Sequence, residues 1–194
     1  MKTSLSYLFL ALIFLFTSDI VQAQYRENDE LHEGHQKYDD PERRSPNRSA
    51  EIDFGSGHAT IEWSAPSVRD RQLYGGLIPD GNIWRTGANE ATVIHFDDDV
   101  LVEGNALAAG SYALFTIGGP DEWTFIFNAV SQQWGAFSQN ADEDVLRINV
   151  TPGEEDFREE LRFAFEDTGD RTTKVLLSWG TIAVELNVEV AAED

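Results

Sequence analysis

The sequence predicts an all-β fold: an antiparallel β-sandwich, jelly-roll-like or Ig-like, of about nine strands with at most one short helix. Three observations carry this expectation. Apolar residues recur with period two rather than 3.6 along most of the chain beyond Glu51. Turn formers such as Gly118-Gly119-Pro120-Asp121 and Pro152-Gly153 divide these segments at short intervals. The chain has no cysteine, so disulfides and thiolate metal sites are excluded and the fold must rest on its apolar core.

The chain opens with an address. After Lys2, the run from Tyr7 to Phe16 is continuously apolar, and Val21-Gln22-Ala23 presents small residues where a signal peptidase cuts. This predicts a secretory signal peptide over 1–23, and so an exported protein, periplasmic or extracellular. The run falls well short of the roughly twenty residues that cross a bilayer, so no membrane span is expected after cleavage. Residues 24–50 mix acids and bases with few large apolar groups (Tyr25, Leu31, Tyr38), and a disordered tail is expected there. His32 and His35 lie within it. Two ligands without a third make a weak metal site, and a solvated pair is the simpler reading.

A single domain is expected over 51–194. Thr92–Phe96 and Val100–Val102 read as strands flanking an acidic turn, Asp97-Asp98-Asp99. Ser111–Ile117 and Glu122–Asn128 are apolar on both faces, which predicts a central hairpin covered on both sides. Leu146, Ile148 and Val150 alternate with polar partners, as do Leu161, Phe163 and Phe165. The one helical candidate is Glu154–Glu160. Val175–Trp179 and Ile182–Val190 are expected to form a last hairpin through Gly180-Thr181.

Charge narrows the function. With 35 acidic and 14 basic residues the formal net charge is -21, which disfavours binding to a phosphate backbone, so no nucleic-acid partner is expected. Only three lysines occur (Lys2, Lys37, Lys174). Dense surface carboxylates suit salty surroundings, where self-repulsion is screened.

Several blocks carry a resemblance. They are YGGLIPDGNIWRTGANEATVIHF (74–96), GNALAAGSYALFTI (104–117), DEWTFIFN (121–128), QWGAF (133–137) and DVLRINV (144–150), with SAPSVRDR (64–71) before and LLSWGTIAVELNV (176–188) after. In this order they resemble the bacterial family called domain of unknown function 2911, and WR-x-GANE is the most specific block. The resemblance implies a small exported β-rich protein and no particular activity, cofactor or catalytic residue. Ala65 and Ala108 depart from the pattern, standing where Arg and Pro are expected.

The residues themselves point to one constellation: Trp84, Arg85, Asn89 and Glu90 around the Gly87-Ala88 turn. Arg offers a fork of donors for a carboxylate or sugar hydroxyls, and Trp a flat face for a ring. Asn offers a donor and an acceptor together, and a buried Glu can act as acid or base. The alternative is structural: Arg85 and Glu90 pair with each other across the turn while Trp84 fills core. Trp63, Trp123 and Trp179 sit on strand-like stretches and are expected in the core. Trp134, in a polar connection, is a candidate platform or lid.

No metal and no cofactor is predicted. Asn140, Asp142 and Asp144 alternate like the start of a calcium loop, but Val145 stands where an EF-hand needs Gly. His58 and His95 are far apart in sequence and lack a clear carboxylate partner. Serine-nucleophile, phosphate-loop and metalloprotease motifs are absent. Three functions remain: a non-enzymatic module binding a small molecule, glycan or envelope partner; a hydrolase using Glu90 as acid or base; and a structural or assembly module.

Overall fold

A computed structural model describes residues 42–192. The expected signal peptide, the His32/His35 pair and the tail as far as residue 41 lie outside the described residues. Ten strands follow one another in chain order: β1 (Asn47–Phe54), β2 (Gly57–Ser64), β3 (Thr92–Phe96), β4 (Val100–Val102), β5 (Asn105–Leu107), β6 (Gly110–Gly118), β7 (Trp123–Asn128), β8 (Asp144–Val150), β9 (Gly153–Gly169) and β10 (Thr172–Val190). They form a six-stranded sheet, β1-β2-β3-β6-β7-β8, and a four-stranded sheet, β5-β4-β10-β9. Every pairing is antiparallel. The fold is the expected all-β sandwich, and it is not closed into a barrel.

The period-two pattern explains the core. Ala59, Ile61 and Trp63 of β2, Ile94 and Phe96 of β3, and Trp123, Phe125 and Phe127 of β7 face the second sheet. Leu161 and Phe163 of β9 and the inward residues of β10 meet them there. Trp63 stands edge-on to Phe163 at 5.4 Å and donates its ring N–H to the Leu161 carbonyl, which ties the sheets together. The acidic turn Asp97-Asp98-Asp99 carries the chain from β3 in one sheet to β4 in the other.

The central hairpin β6–β7 is covered on both faces. Its outward residues Ala113, Phe115 and Ile126 form a second small core with Ala91, Ile83 and Ala136. Those last three belong to two connections, one before β3 and one between β7 and β8, which lie across the outer face of the six-stranded sheet.

Three expectations are corrected. The segment Glu154–Glu160 is not helical but is the first half of β9, with Gly153 opposite Ala183 and Arg158 opposite Gly180. Its glutamates favour helix only weakly, and ladder bonds to β10 override that preference. The one helical turn among the described residues is a 3-10 turn, Ala141–Glu143.

The second correction is at Gly180-Thr181, which is not a hairpin turn. Thr172–Val190 is one continuous strand, with register shifts on both sides of Gly180. Before the bulge Val175, Leu177 and Trp179 point inward; after it Ile182, Val184, Leu186, Val188 and Val190 do. The irregularity moves the apolar phase from odd to even positions, so both halves face one core. Gly180 has φ +60°, and a Cβ there would lie 2.4 Å from Leu73 Cδ1, so glycine is needed for both conformation and space.

The third concerns the domain boundary. β1 begins at Asn47, so part of the expected tail is an integral strand of the larger sheet. No helix among the described residues is long and apolar enough to cross a membrane.

Candidate functional site

The two connections that cover the outer face meet along a short seam. The Ala91 amide donates to the Gln133 carbonyl at 2.9 Å, and the Gly135 amide to the Asn89 carbonyl at 3.0 Å. The seam gathers most of the residues singled out from the sequence, but it gives them unequal roles.

Trp84 belongs to the core. Its backbone exchanges two hydrogen bonds with Thr116, at 2.7 and 2.8 Å, so it extends the sheet beside β6. Its ring stacks on Trp179 at 5.6 Å and meets Trp123 edge-on at 6.4 Å. Its ring N–H donates to the Gly87 carbonyl at 3.1 Å. Gly87 is closely packed, since a Cβ there would sit 3.0 Å from the Ser64 carbonyl and 3.1 Å from the Thr92 hydroxyl. The candidate platform role of Trp84 is therefore withdrawn. Trp63, Trp123 and Trp179 are core residues as expected.

Asn89 serves the turn through its backbone. It adopts φ +60°, a left-handed conformation that Asn tolerates better than most residues. Thr86 does the same at φ +54° while wholly buried, its hydroxyl bonded to Thr116 Oγ1 at 3.1 Å. A β-branched residue in this region is strained, and the surrounding hydrogen bonds hold it there.

Glu90 does not pair with Arg85. Its carboxylate is taken by Arg43, whose Nη1 donates to Oε2 at 3.0 Å and whose Nη2 donates to Oε1 at 2.5 Å. Arg43 Nη1 also donates to Asn47 Oδ1 at 3.1 Å, and the Ser64 hydroxyl donates to the same oxygen at 3.0 Å. Only 6% of the Arg43 side chain and 12% of the Glu90 side chain are exposed. The expected latch exists, but its cation comes from the segment before β1. The reason is topological: Asn47 pairs with Ser64, which brings the start of β1 to the end of β2, beside Glu90.

Arg85 is left in a different state. Its side chain is half-buried, and its Nε is shut off from solvent with no hydrogen-bond partner. It forms no ion pair with any described residue, whereas Arg43, Arg48, Arg147 and Arg158 each hold a carboxylate. Burial lowers its pKa from the ordinary arginine value, the direction expected of a cation removed from water. Gly135 passes close above it: a Cβ there would be 3.5 Å from Arg85 Nη1 and 3.0 Å from the Phe137 ring.

Trp134 follows the seam and is bridged to Glu90. It is 39% exposed, and Phe137 is 82% exposed. The exposed Phe137 ring and the half-buried Arg85 guanidinium thus both lie against Gly135, and the partly exposed Trp134 precedes it in the chain. Phe137, Gln133 and Arg43 were not singled out from the sequence. The aromatic-Gly-Ala-aromatic spacing of residues 134–137 is a local signal for Phe137; Arg43 has none. The connection that carries these rings is anchored by Asn128, fully buried, whose Nδ2 donates to the Asn140 carbonyl and to Asp144 Oδ1.

The remaining candidates are occupied within the fold. Asn140 Oδ1 accepts from the Asp142 amide and caps the 3-10 turn. Asp144 accepts from Asn128, Gln139 and Arg147. His58 Nδ1 lies 2.7 Å from Asp53 Oδ1. His95 lies 2.8 Å from both Ser111 Oγ and Asp97 Oδ1. Among the described residues no group of three His, Cys, Asp or Glu could hold a metal ion.

A family model described as protein of unknown function (DUF2911) matches residues 45–188. The chain belongs to this family. The DUF2911 match begins just before β1 and ends within β10, so it takes in both sheets and the seam. No curated protein and no solved structure matches the chain.

Proposed function

We propose that this DUF2911 protein is an exported, non-enzymatic binding module whose ligand sits on the shelf formed by Arg85, Trp134 and Phe137. The observation that carries this reading is Arg85. In a chain with 35 acidic and 14 basic residues, carboxylates are abundant, yet none among the described residues pairs with this half-buried guanidinium. A buried donor without an acceptor costs about 1–3 kcal/mol. A site kept for an outside acceptor accounts for that cost, and the exposed rings of Trp134 and Phe137 supply contact area.

The hydrolase reading is less favoured, because both oxygens of Glu90 are already engaged by Arg43. Export from residues 1–23 is part of the proposal, and N-terminal sequencing of the protein recovered outside the cytoplasm tests it. A start at Gln24 supports export, and an intact Met1 in the cytoplasm refutes it. The site is tested by calorimetric screening of small carboxylates and oligosaccharides against the native chain and Arg85→Gln. Any ligand of the shelf loses affinity in Arg85→Gln; a ligand bound equally by both proteins binds elsewhere.

A further inference from the structure

Away from the seam, one cluster joins a hydroxyl, an imidazole and a carboxylate. His95 of β3 stands directly opposite Ser111 of β6 in the antiparallel register, so their side chains share one face of the larger sheet. Their neighbours Ile94, Phe96 and Tyr112 are buried, which turns His95 and Ser111 away from the main core. Asp97 follows His95 by two positions, and its amide donates to the His58 carbonyl at 3.0 Å, which holds it in line with β3. His95 Nδ1 lies 2.8 Å from Ser111 Oγ, and His95 Nε2 lies 2.8 Å from Asp97 Oδ1. Ser111 is half-buried, and the side chains of His95 and Asp97 are 39% and 54% exposed, so a small molecule reaches the cluster from solvent.

The carboxylate sets the direction of both bonds. An ionised Asp97 only accepts, so the nitrogen beside it, His95 Nε2, carries the hydrogen. In the neutral imidazole Nδ1 then keeps its lone pair, and the Ser111 hydroxyl donates to it. A hydroxyl that donates to a base oriented by a carboxylate is an activated nucleophile. From this geometry we infer that Ser111 is a covalent modification site that takes an acyl group from activated esters. Arg85 has no part in it.

In the step, Ser111 Oγ attacks the ester carbonyl carbon while its proton passes to His95 Nδ1. The adduct then expels the alkoxy or aryloxy group, which leaves with that proton. An ester and a serine hydroxyl become an acyl-serine and a free alcohol or phenol. Ser111 stands on a strand, without the helix N-terminus that often supplies oxyanion donors, so the ester must carry a good leaving group. The acyl-serine is an alkyl ester with a much poorer leaving group. It therefore persists, and the chain is modified once rather than turning over.

The test treats the full chain with 4-nitrophenyl acetate, a neutral ester suited to a site beside the acidic turn, and maps the acetyl group by mass spectrometry. One acetyl on Ser111 is expected, and none at that position in Ser111→Ala. His95→Gln should slow acetylation of Ser111 by about 100-fold, the usual worth of a general base. Asp97→Asn should slow it by about tenfold or more, because the tautomer is no longer fixed. Nitrogen-15 NMR of the native chain at a pH where His95 is neutral needs no variant: it should place the hydrogen on Nε2, and Asp97→Asn should remove that preference. A hydrogen on Nδ1 in the native chain overturns the inference, since the serine would then accept rather than donate. Acetylation confined to Lys174, the histidines or the chain terminus overturns it as well. So does a Ser111 that reacts equally fast in the native chain and His95→Gln.

Discussion

Arg43 grips both carboxylate oxygens of Glu90 from a segment that lies before the first strand. The pair joins the entry of β1 to the connection that carries Arg85, and Glu90 is in turn bridged to Trp134. Removing one partner of a buried pair leaves the other charge uncompensated. Arg43→Ala should therefore cost about 3 kcal/mol, and Arg43→Met with Glu90→Gln together should cost less. Urea unfolding of the two variants decides the matter. A loss under about 0.5 kcal/mol for Arg43→Ala would show the pair to be an ordinary surface contact.

The tryptophans on the two sides of the seam should behave differently. Trp84 fills the core between Trp123 and Trp179, so Trp84→Ala is expected to cost about 3–5 kcal/mol. Trp134 is 39% exposed, and Trp134→Ala should cost clearly less than Trp84→Ala. Thermal melts of both proteins give the comparison, and similar losses would contradict the assignment of Trp134 to the surface.

Gly180 is predicted to resist substitution. Gly180→Ala places a Cβ against Leu73 and forces an L-residue to φ +60°, at an expected cost of roughly 1–3 kcal/mol. Chemical denaturation midpoints measure it. A neutral effect would mean that the β10 bulge relaxes freely.

His58 should titrate above the ordinary histidine value of 6.5, chiefly because Asp53 hydrogen-bonds its charged form; partial desolvation opposes this, and the Asp53, Asp97 and Glu51 charges add to it. A raised folded pKa means that the contribution of protonated His58 is fully present below about 6.5. It is lost as pH rises through the folded value. NMR titration should show the His58 midpoint fall in Asp53→Asn. An unchanged midpoint would remove Asp53 as the cause.

The net charge of -21 predicts a salt response. Self-repulsion among surface carboxylates destabilises the compact state and is screened by ions. The melting temperature should rise as sodium chloride goes from low to molar concentration. A flat or falling curve would dismiss adaptation to salt.

The all-β class, the central hairpin and the core tryptophans Trp63, Trp123 and Trp179 were legible in the sequence. Alternation along a strand is local: each residue's face follows from its neighbours' positions, so Ile148 or Leu186 reveals its burial without knowledge of its partner. The neighbourhood of Trp84–Glu90 was legible as a place worth examining for the same reason, since its residue types are local facts.

Pairing over distance was decided only in the folded chain. Gly180 reads as a turn until β9 is laid beside β10, when it becomes the bulge that brings two phases of one strand onto one core. The glutamates of 154–160 read as helical until ladder bonds claim them. Arg85 and Glu90 read as a pair until the register of β1 on β2 carries Arg43 to Glu90 and leaves Arg85 without a carboxylate among the described residues. Ion pairs and strand partners are set by distance in space. In this sandwich that distance is fixed by which strands lie side by side, a property no window of the sequence contains.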